Sequence, residues 1–509
     1  MTTISDAIEL TLEQSIVPTI FESLWELDPI YPMIQRSSMN VVRNSNIGRG
    51  WKVQKTWVTG IAGGAKFTAA QGGNVVTGPN NFNIYDTPQT FQAVDETTAP
   101  AFMQSNVTLI EHRGNFYLPH NLLRADRLNS SIGSVVAQNL RGVGELLAQQ
   151  ECALFYSASA TTGELADLGD TSVNVTNAAS PTTTPTACMI LELDGTDSSS
   201  GRVHRFRPGM LVDLYDSTGA TKRNLGFTVA VDNVDPLASK VTLRRIDGGT
   251  FQTTTTLNGG VTYGGAGGDN DIVVIKDSVS VAPKGLESWI ADGSTVTSFF
   301  GIDVRNFSQF KSYLPSAISA ALTENILNKH FAKFFEAFPG KKLDTAITTM
   351  GVLIGFIDNL DSNNSGGISS GSTNTTYPGR IQYDRNGQAM TIEAGWESFK
   401  YRFASRPIEI YTSTYAAFGT LYAGKLKNGG ITRYVPPAIP GAKVDSRFGA
   451  EVEFVAPLGG TGMQGIFKHA HSTAGATTDF VEAPFVRQWN VMPSNPNWMK
   501  LTGITEVLG

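Results

Sequence analysis

The stretch between residues 50 and 107 constrains the fold most strongly, because it predicts a long two-stranded ribbon. The first extended run covers residues 51–58 and leads into a glycine-rich tip. The return run passes through four large apolar residues: Phe82, Ile84, Tyr85 and Phe91. A ribbon with so few apolar side chains is at best marginally stable alone in water. We therefore expect this arm to lie on another protein surface, which favours assembly over catalysis.

The composition indicates a chain rich in strands and loops, with much of its surface buried against neighbours. Of the 509 residues, 41% are hydrophobic, only 17% are charged and 52 are glycine. A disordered chain would carry more charge and fewer aromatic residues. The length corresponds to about two to four domains of ordinary size.

The charge balance argues against a protein that binds nucleic acid through its phosphates. The net charge is −6, whereas phosphate binding needs a basic face or tail. The nearest candidate is a set of basic residues in one Thr-rich region: Arg202 to Arg207, Lys222, Arg223, Arg244 and Arg245. We interpret these side chains as solvated charges on strands and loops.

The two cysteines and the apolar runs exclude several further classes. Cys152 falls in a predicted helix and Cys188 in a predicted β region, so both are expected to be small buried hydrophobes without a disulfide framework or a zinc site. No apolar run reaches about 18 residues, so no membrane span is predicted. The N-terminus lacks the basic and apolar regions of a secretory signal.

Apolar spacing predicts one long amphipathic helix over residues 129–157, capped by Asn129 and Ser130. The residues on its apolar face are Ile132, Val135, Val136, Leu140, Val143, Leu147 and Leu154. A short strand is predicted before it, over residues 115–119. The residues before the ribbon are dense in large apolar side chains and interrupted by prolines, which predicts an arm with helical pieces.

A change in composition at about residue 171 predicts a separate β unit that ends at about residue 277. The region is rich in Thr, Ser, Gly, Asp and Val, and turn residues separate its short apolar runs. The predicted strands are 189–193, 210–215, 227–231, 240–243 and 271–275. We expect a compact all-β insert, either a small barrel or a sandwich.

The remainder of the chain predicts a mixed arrangement of helices and strands. A helix over 322–337, capped by Thr323, is followed by a strand over 344–349 and a helix over 351–360. Residues 361–377 predict a loop by composition. The further predicted strands are 391–394, 407–411, 419–423 and 485–491.

The candidate chemical motifs all lack the context that their chemistry needs. His469 and His471 would share one strand face, but no acidic residue lies within six positions of the pair. The Gly-x-Ser-x-Gly match at 367–371 has neither the strand nor the helix of a nucleophile elbow. The glycine clusters at 259–268 lack the Lys-Ser/Thr of a phosphate loop. We therefore predict no catalytic, metal or cofactor site.

The order of these parts, together with several local phrases, carries a family resemblance. One phrase is Gly285-Leu-Glu-Ser-Trp-Ile followed by Phe300-Gly-Ile-Asp. Another is Leu322-Thr-Glu-Asn-Ile-Leu followed by Asp344-Thr-Ala-Ile-Thr-Thr-Met-Gly-Val. The last is Gly419-Thr-Leu-Tyr-Ala-Gly-Lys-Leu, with Trp489-Asn-Val-Met before Lys500-Leu-Thr-Gly-Ile. In this order, the chain resembles the tailed-bacteriophage major capsid protein of the HK97 fold everywhere except the insert.

The resemblance implies an α+β, HK97-like capsid fold with an inserted all-β domain. The implied parts are an N-terminal arm (1–49), an extended loop (50–107), a peripheral domain with a spine helix (108–170), an inserted β-barrel or sandwich domain (171–277), a mainly axial domain (278–440) and return strands of the peripheral and axial domains (441–509). The extended loop would lie over the adjacent subunit. Its expected intersubunit contacts are Trp57, Lys66, Phe67, Phe82 and Tyr85.

The resemblance also implies the partners and the location of the protein. Copies of the chain would form hexamers and pentamers of an icosahedral shell that encloses the double-stranded DNA genome of a tailed phage. The other implied partners are a portal protein at one vertex and separate scaffolding or decoration proteins, with DNA packaged without sequence-specific binding and with no membrane and no cofactor. The protein would be made in the host bacterial cytoplasm and reside in the virion.

Two departures from the family pattern shape these expectations. Some members carry a long N-terminal scaffolding segment that is removed, but few residues precede the arm here, so we expect a separate scaffolding protein or none. Some members join a loop lysine to an asparagine. Lys66 is the one suitable lysine near the arm tip, and no matching asparagine can be assigned, so no cross-link is expected.

Two other classes of function stay open from the sequence. One is a surface-assembly or adhesin protein whose β insert binds glycans, and the other is an enzyme such as a hydrolase with a β appendage. Images of particles discriminate the shell from both. Deleting residues 60–95 discriminates as well, because only a shell protein would lose assembly while it keeps its fold.

Overall fold

The structure is a computed structural model. It describes residues 28–44, 50–60, 101–119, 130–157, 164–167, 176–178, 188–192, 203–216, 219–236, 240–249, 272–294, 296–364, 398–403, 406–437, 452–454, 468–470 and 480–506. Within these residues, the α-helices are α1 (Ser130–Phe155), α2 (Leu286–Trp289), α3 (Glu324–Ala337) and α4 (Met350–Asn364). Short 3-10 helices lie at Tyr31–Met33 and Ser308–Phe310.

A six-stranded sheet forms one wall of the first of two apolar cores. Numbered in chain order, its strands are β1 (Gln35–Ser37), β5 (Ile110–Pro119), β19 (Ile431–Tyr434), β20 (Val452–Phe454), β21 (Lys468–Ala470) and β22 (Phe480–Pro493). The long strand β22 pairs antiparallel with β5, β19, β20 and β21, and β1 pairs parallel with β19. The buried C-terminal half of α1 contributes to this first core, with Leu147, Cys152 and Phe155 among its members.

A seven-stranded antiparallel sheet contains the five strands that were predicted between residues 171 and 277. Its strands are β6 (Glu164–Asp167), β7 (Thr176–Ala178), β8 (Cys188–Glu192), β9 (Leu211–Tyr215), β10 (Val229–Asp235), β11 (Lys240–Arg245) and β12 (Ile272–Ile275). They are ordered β6-β12-β9-β10-β11-β8-β7. Strand β6 precedes residue 171, so the sheet begins earlier than the predicted insert. The buried side chains of the sheet are continuous with the first core.

The second core lies between a five-stranded sheet and two helices. The strands are β15 (Thr345–Thr348), β16 (Ser398–Phe403), β17 (Arg406–Thr412), β18 (Leu421–Gly424) and β23 (Met499–Leu501), ordered β16-β17-β15-β18-β23. Helices α3 and α4 supply Leu327, Phe331, Phe334 and Phe356 to this core. In the first core, β13 (Ser298–Phe299) and β14 (Ile302–Asp303) form a tight hairpin whose turn residues, Phe300 and Gly301, both have positive φ.

Most elements with a strong local pattern are confirmed. Helix α1 matches the predicted 129–157, and α3 begins after Thr323, whose hydroxyl accepts the Ile326 N–H at 3.3 Å. Strands β15, β17 and β18 and all five predicted strands of the insert lie within a few residues of their expected positions. The predicted strand 391–394 and the predicted helical piece before residue 18 lie outside the described residues.

Several boundaries differ from the predictions. The described return strand of the arm is Ala101–Thr108, and the apolar run at 82–91 lies outside the described residues. Strands β5 and β22 are longer than the predicted 115–119 and 485–491, because they pair with each other over ten residues. Residues 361–364 are helical rather than part of a loop. Residues 286–310, which were assigned mainly to an axial domain, contribute their buried side chains to the first core.

Candidate functional site: an anchored ribbon

The described part of the arm, Gly50–Gly60 and Ala101–Thr108, is an antiparallel ribbon. This part is the base of the arm, and its inward face lies on the first core. Strand β3 (Gly50–Gly60) pairs with β4 (Ala101–Thr108), and β2 (Val41–Asn44) adds a third strand beside β3. The pairing begins at Lys52–Thr108 and continues to Gly60–Ala101. Because Gly60 and Ala101 are paired, the segment 61–100 begins and ends at the same end of one ribbon.

Alternation along the ribbon separates an inward face from an outward face. Val53, Ser105 and Val107 are buried on the inward face. The outward face of β4 carries Gln104 and Asn106, and it ends at Phe102, which is 58% exposed. In the described residues, the inward face of β4 is therefore buried and its outward face is exposed.

Trp57 fixes the far end of the base to the rest of the subunit. Its ring makes edge contacts with Phe299 at 5.7 Å and with Phe310 at 5.5 Å between centroids. Its indole N–H donates to the Ser105 hydroxyl at 2.9 Å, and that hydroxyl donates to the carbonyl of Lys55 at 3.3 Å. Aromatic pairs of this kind add stability beyond the area that they bury.

Lys55 ties the same face of the ribbon to the end of β22. Its ammonium lies 3.4 Å from the carbonyl oxygen of Pro493 and 4.1 Å from the centroid of the Trp57 ring. Burial lowers the pKa of Lys55 to about 8. Nearer the start of the ribbon, the Asn490 amide donates to the carbonyl of Thr108 at 2.8 Å. The ribbon is thus held at both ends of its base by polar contacts to β22.

A buried cluster of charges lies between α1 and the six-stranded sheet. Glu151 of α1 is 0% exposed. Its carboxylate accepts from Arg433 at 3.2 Å to each oxygen, contacts Arg487 directly and accepts the Tyr31 hydroxyl at 3.1 Å. The Arg433 guanidinium also lies 5.2 Å from the centroid of the Trp489 ring. One carboxylate thereby joins the N-terminal segment, α1, β19 and β22.

A second polar joint connects the seven-stranded sheet to the first core. Arg205 is 1% exposed and donates to the backbone carbonyls of Tyr415, Leu165 and Tyr156 at distances between 2.7 and 3.2 Å. The Gln149 amide of α1 donates to the carbonyls on either side, those of His204 and Phe206, at 2.9 and 3.1 Å. The interpretation of the basic residues in 202–207 as solvated is therefore wrong for Arg205, because backbone carbonyls rather than water accept its hydrogen bonds.

The structure describes only one of the five expected contact residues of the extended loop. Trp57 lies in the ribbon, and its described ring contacts are within its own subunit. Lys66, Phe67, Phe82 and Tyr85 lie outside the described residues. A role for these five residues between subunits stays a prediction.

Most of the groups that were tested for chemistry lie outside the described part of the chain. No group of three or more His, Cys, Asp or Glu residues there could hold a metal ion. Cys152 is a free thiol in the first core, and burial raises its pKa well above the usual value, which makes it unreactive. The serine motif at 367–371 and the glycine cluster at 259–268 lie outside the described residues.

Sequence reasoning missed the buried charges, although one signal for them was present. The apolar spacing of α1 runs through Leu147 and Leu154, and Glu151 occupies a position between them on the same face. A charge on an apolar helix face indicates either a buried ion pair or a local interruption of the core. Its partners could not be identified, because Arg433 and Arg487 lie 282 and 336 positions further along the chain.

Among the described residues, no helix is both long enough and apolar enough to span a membrane. No protein-family model matches the chain, and no curated protein sequence matches it.

Solved structures match the chain over most of its length. The capsid asymmetric unit of cyanophage A-1(L) is 10% identical, with 94% of this chain and 93% of that chain covered and a TM-score of 0.38. The capsid of the native GTA particle is 8% identical, with 93% and 89% covered and a TM-score of 0.35. The procapsid of satellite phage P4, which includes the size determination (Sid) protein, is 8% identical, with 96% and 91% covered and a TM-score of 0.34.

The three matched structures are capsids or procapsids, the class of assembly that the sequence resembles. With TM-scores of 0.38 or less and identities of 10% or less, the likeness carries no argument for the function of this chain.

Proposed function

We propose that the chain is a major capsid protein, which assembles into hexamers and pentamers of an icosahedral shell around the double-stranded DNA of a tailed phage. The observation that carries this proposal is the anchored ribbon. Its base is fixed to the rest of the subunit by Trp57 and Lys55, while in the described residues the outward face of β4 is exposed. A ribbon of this kind suits a loop that reaches a second subunit, because its attachment is rigid and its free face is available.

The architecture around the ribbon supports a structural role. The ribbon is held on β22, which is joined to α1 through Glu151. Arg205 connects the seven-stranded sheet to the same core. In this proposal residues 50–107 are the extended loop, α1 is the spine of a peripheral domain, the second core is the axial domain and the seven-stranded sheet is an insertion domain. The contacts to the neighbouring subunit are made by Trp57, Lys66, Phe67, Phe82 and Tyr85.

The proposed partners follow from the same assignment. Further copies of the chain make up most of the shell, a portal protein occupies one vertex, and separate scaffolding or decoration proteins bind the shell. Packaged DNA is enclosed without sequence-specific contacts, and the protein resides in the virion after synthesis in the host bacterium. Large buried interfaces between copies supply the stability of such an assembly.

The register of the ribbon provides a sharp test. Because Gly60 and Ala101 are paired, residues 61–100 can be replaced by Asn-Gly, which favours a two-residue hairpin turn. We expect the full chain to form uniform shells in negative-stain images. The shortened chain should form none, while its far-UV circular dichroism and thermal transition stay those of the wild-type subunit.

Other outcomes of this experiment distinguish the alternatives. Shells formed by the shortened chain would overturn the role of the arm. Soluble wild-type monomers that bind a glycan would instead support the adhesin hypothesis. Correctly sized shells from the chain expressed alone would exclude the need for a separate scaffolding protein, and a monomer band alone on denaturing gels of shells would exclude a covalent cross-link.

A further inference from the structure

The N-terminal segment crosses the first core immediately after the point at which the described structure begins. Asp28, Ile30 and Tyr31 are buried, and the chain continues into β1, which pairs with β19. Tyr31 also contacts the Phe155 ring edge-on at 6.0 Å between centroids. The position of this segment therefore determines where residues 1–27 join the rest of the subunit.

Asp28 is a carboxyl group at the entry to this segment, and it is 0% exposed. One of its oxygens accepts the Ile30 backbone N–H at 3.0 Å. The other lies 3.3 Å from the Ser413 hydroxyl, which in turn accepts the Tyr415 N–H at 3.2 Å. Asp28 thus joins the N-terminal segment to the loop that follows β17.

The titratable groups that face Asp28 are neutral near physiological pH. They are Cys152 on α1, Tyr156 immediately after α1 and Tyr415 on the loop after β17. Burial raises the pKa of each of these groups above its usual value. The nearby described cations have other partners: Arg205 donates to the backbone carbonyls of Tyr156 and Tyr415, and the two arginines of the buried cluster pair with Glu151.

Burial raises the pKa of Asp28 from 3.8 to about 6, against the opposing effect of the hydrogen bonds from Ile30 and Ser413. The sign of the linkage follows from this direction. A carboxyl whose pKa is higher in the docked state than in the released state favours docking at low pH. That preference is lost as the pH rises from 3.8 towards 6, and above pH 6 the docked state retains the full cost of a buried anion.

We propose that Asp28 is a pH-sensitive anchor for the N-terminal segment. Its neutral carboxyl holds residues 28–37 in the first core, and ionisation of the carboxyl favours their release. This device belongs to the single subunit, so it does not depend on shell assembly.

Hydrogen exchange of the full chain, followed by mass spectrometry of peptides from 28–37, tests the proposal. After correction for the intrinsic rate, we expect the opening of this segment to be about tenfold more frequent at pH 8 than at pH 5, which follows from the two pKa values by linkage. In Asp28→Asn, the amide oxygen can accept the Ile30 N–H and the amide N–H can donate to the Ser413 hydroxyl, without a charge. The opening frequency of that variant should be independent of pH over the same range.

A matched control separates this effect from a general loss of stability. Glu506 is another partly buried carboxyl with a raised pKa, and it lies beside the second core, where it accepts the Gly419 N–H at 2.8 Å. Glu506→Gln should leave the tenfold pH dependence of residues 28–37 intact. If the opening frequency of residues 28–37 in the wild-type chain changed less than twofold between pH 5 and pH 8, that result alone would overturn the proposal. The same pH dependence in Asp28→Asn would overturn it as well.

Discussion

The two cores of the molecule are packed in different ways. The first core encloses Glu151 with two arginines, and its strands come from regions of the chain that are far apart in sequence. The second core consists of buried apolar side chains. The buried polar residues of its strand β15, Thr345 and Thr348, carry no charge. An ionic core requires all of its partners to be in place together, because one missing partner leaves an uncompensated buried charge. An apolar core tolerates the loss of one contact at a graded cost.

The largest expected effect is the loss of stability when the charge cluster of the first core is disrupted. Glu151→Gln leaves the buried guanidinium groups of Arg433 and Arg487 without a counter-charge, and we expect it to lower the free energy of unfolding by about 3–5 kcal/mol. Urea unfolding followed by circular dichroism measures this change. The control is Glu111→Gln, at an exposed site on β5, which should change stability by less than about 0.5 kcal/mol. Equal effects of the two variants would contradict the role of the cluster.

The next largest effect lies in the second core. Leu327→Ala removes a fully buried side chain of α3 and should cost about 3 kcal/mol through lost burial and the cavity that remains. Peptide-resolved hydrogen exchange then sharpens the comparison. If the two cores open separately, exchange should rise in α3 and α4 for this variant and in α1 and β22 for Glu151→Gln. A uniform rise in both variants would show instead that the two cores unfold as one unit.

A smaller effect is expected at the start of α3. Thr323→Ala removes the side-chain acceptor for the Ile326 N–H and should lower the free energy of unfolding by about 1 kcal/mol. Thr323→Asn offers an equivalent acceptor and should keep most of that stability. Thermal unfolding of the two variants in parallel provides the measurement. A loss of equal size in both would mean that the cap contributes little and that another contact of Thr323 is responsible.

The smallest effect is expected from an arginine two positions from the buried Arg205. Arg207 pairs with Glu145 at 2.6 Å, and both side chains are partly exposed, at 36% and 27%. Arg207→Met should cost less than about 1 kcal/mol, because solvent screens such a pair. The loss should shrink further when unfolding is repeated at high salt. A cost as large as that of Glu151→Gln would place Arg207 among the buried charges.

The sequence predictions succeeded where the signal was local and failed where it depended on residues that are distant in sequence. Helices α1 and α3 and strands β15 and β17 were located because apolar periodicity and a cap are local signals. The ionic cluster was not found, since a glutamate and two arginines have the same appearance in a sequence whether they are solvated or buried. Of the candidate site, the strand that contains Trp57 was predicted, but its packing on Phe299 and Phe310 depends on a hairpin and a 3-10 helix that lie about 240 to 250 residues away.

The sequence by itself determined where regular elements form, since backbone preference and apolar spacing act over a few residues at a time. It also determined that the arm could not form a core of its own. Only the tertiary structure decided which charges are buried, which face of the ribbon is covered and how far β22 extends. These properties depend on partners hundreds of residues apart, and the cost of burying Glu151 or Arg205 is offset only when those partners have been brought together.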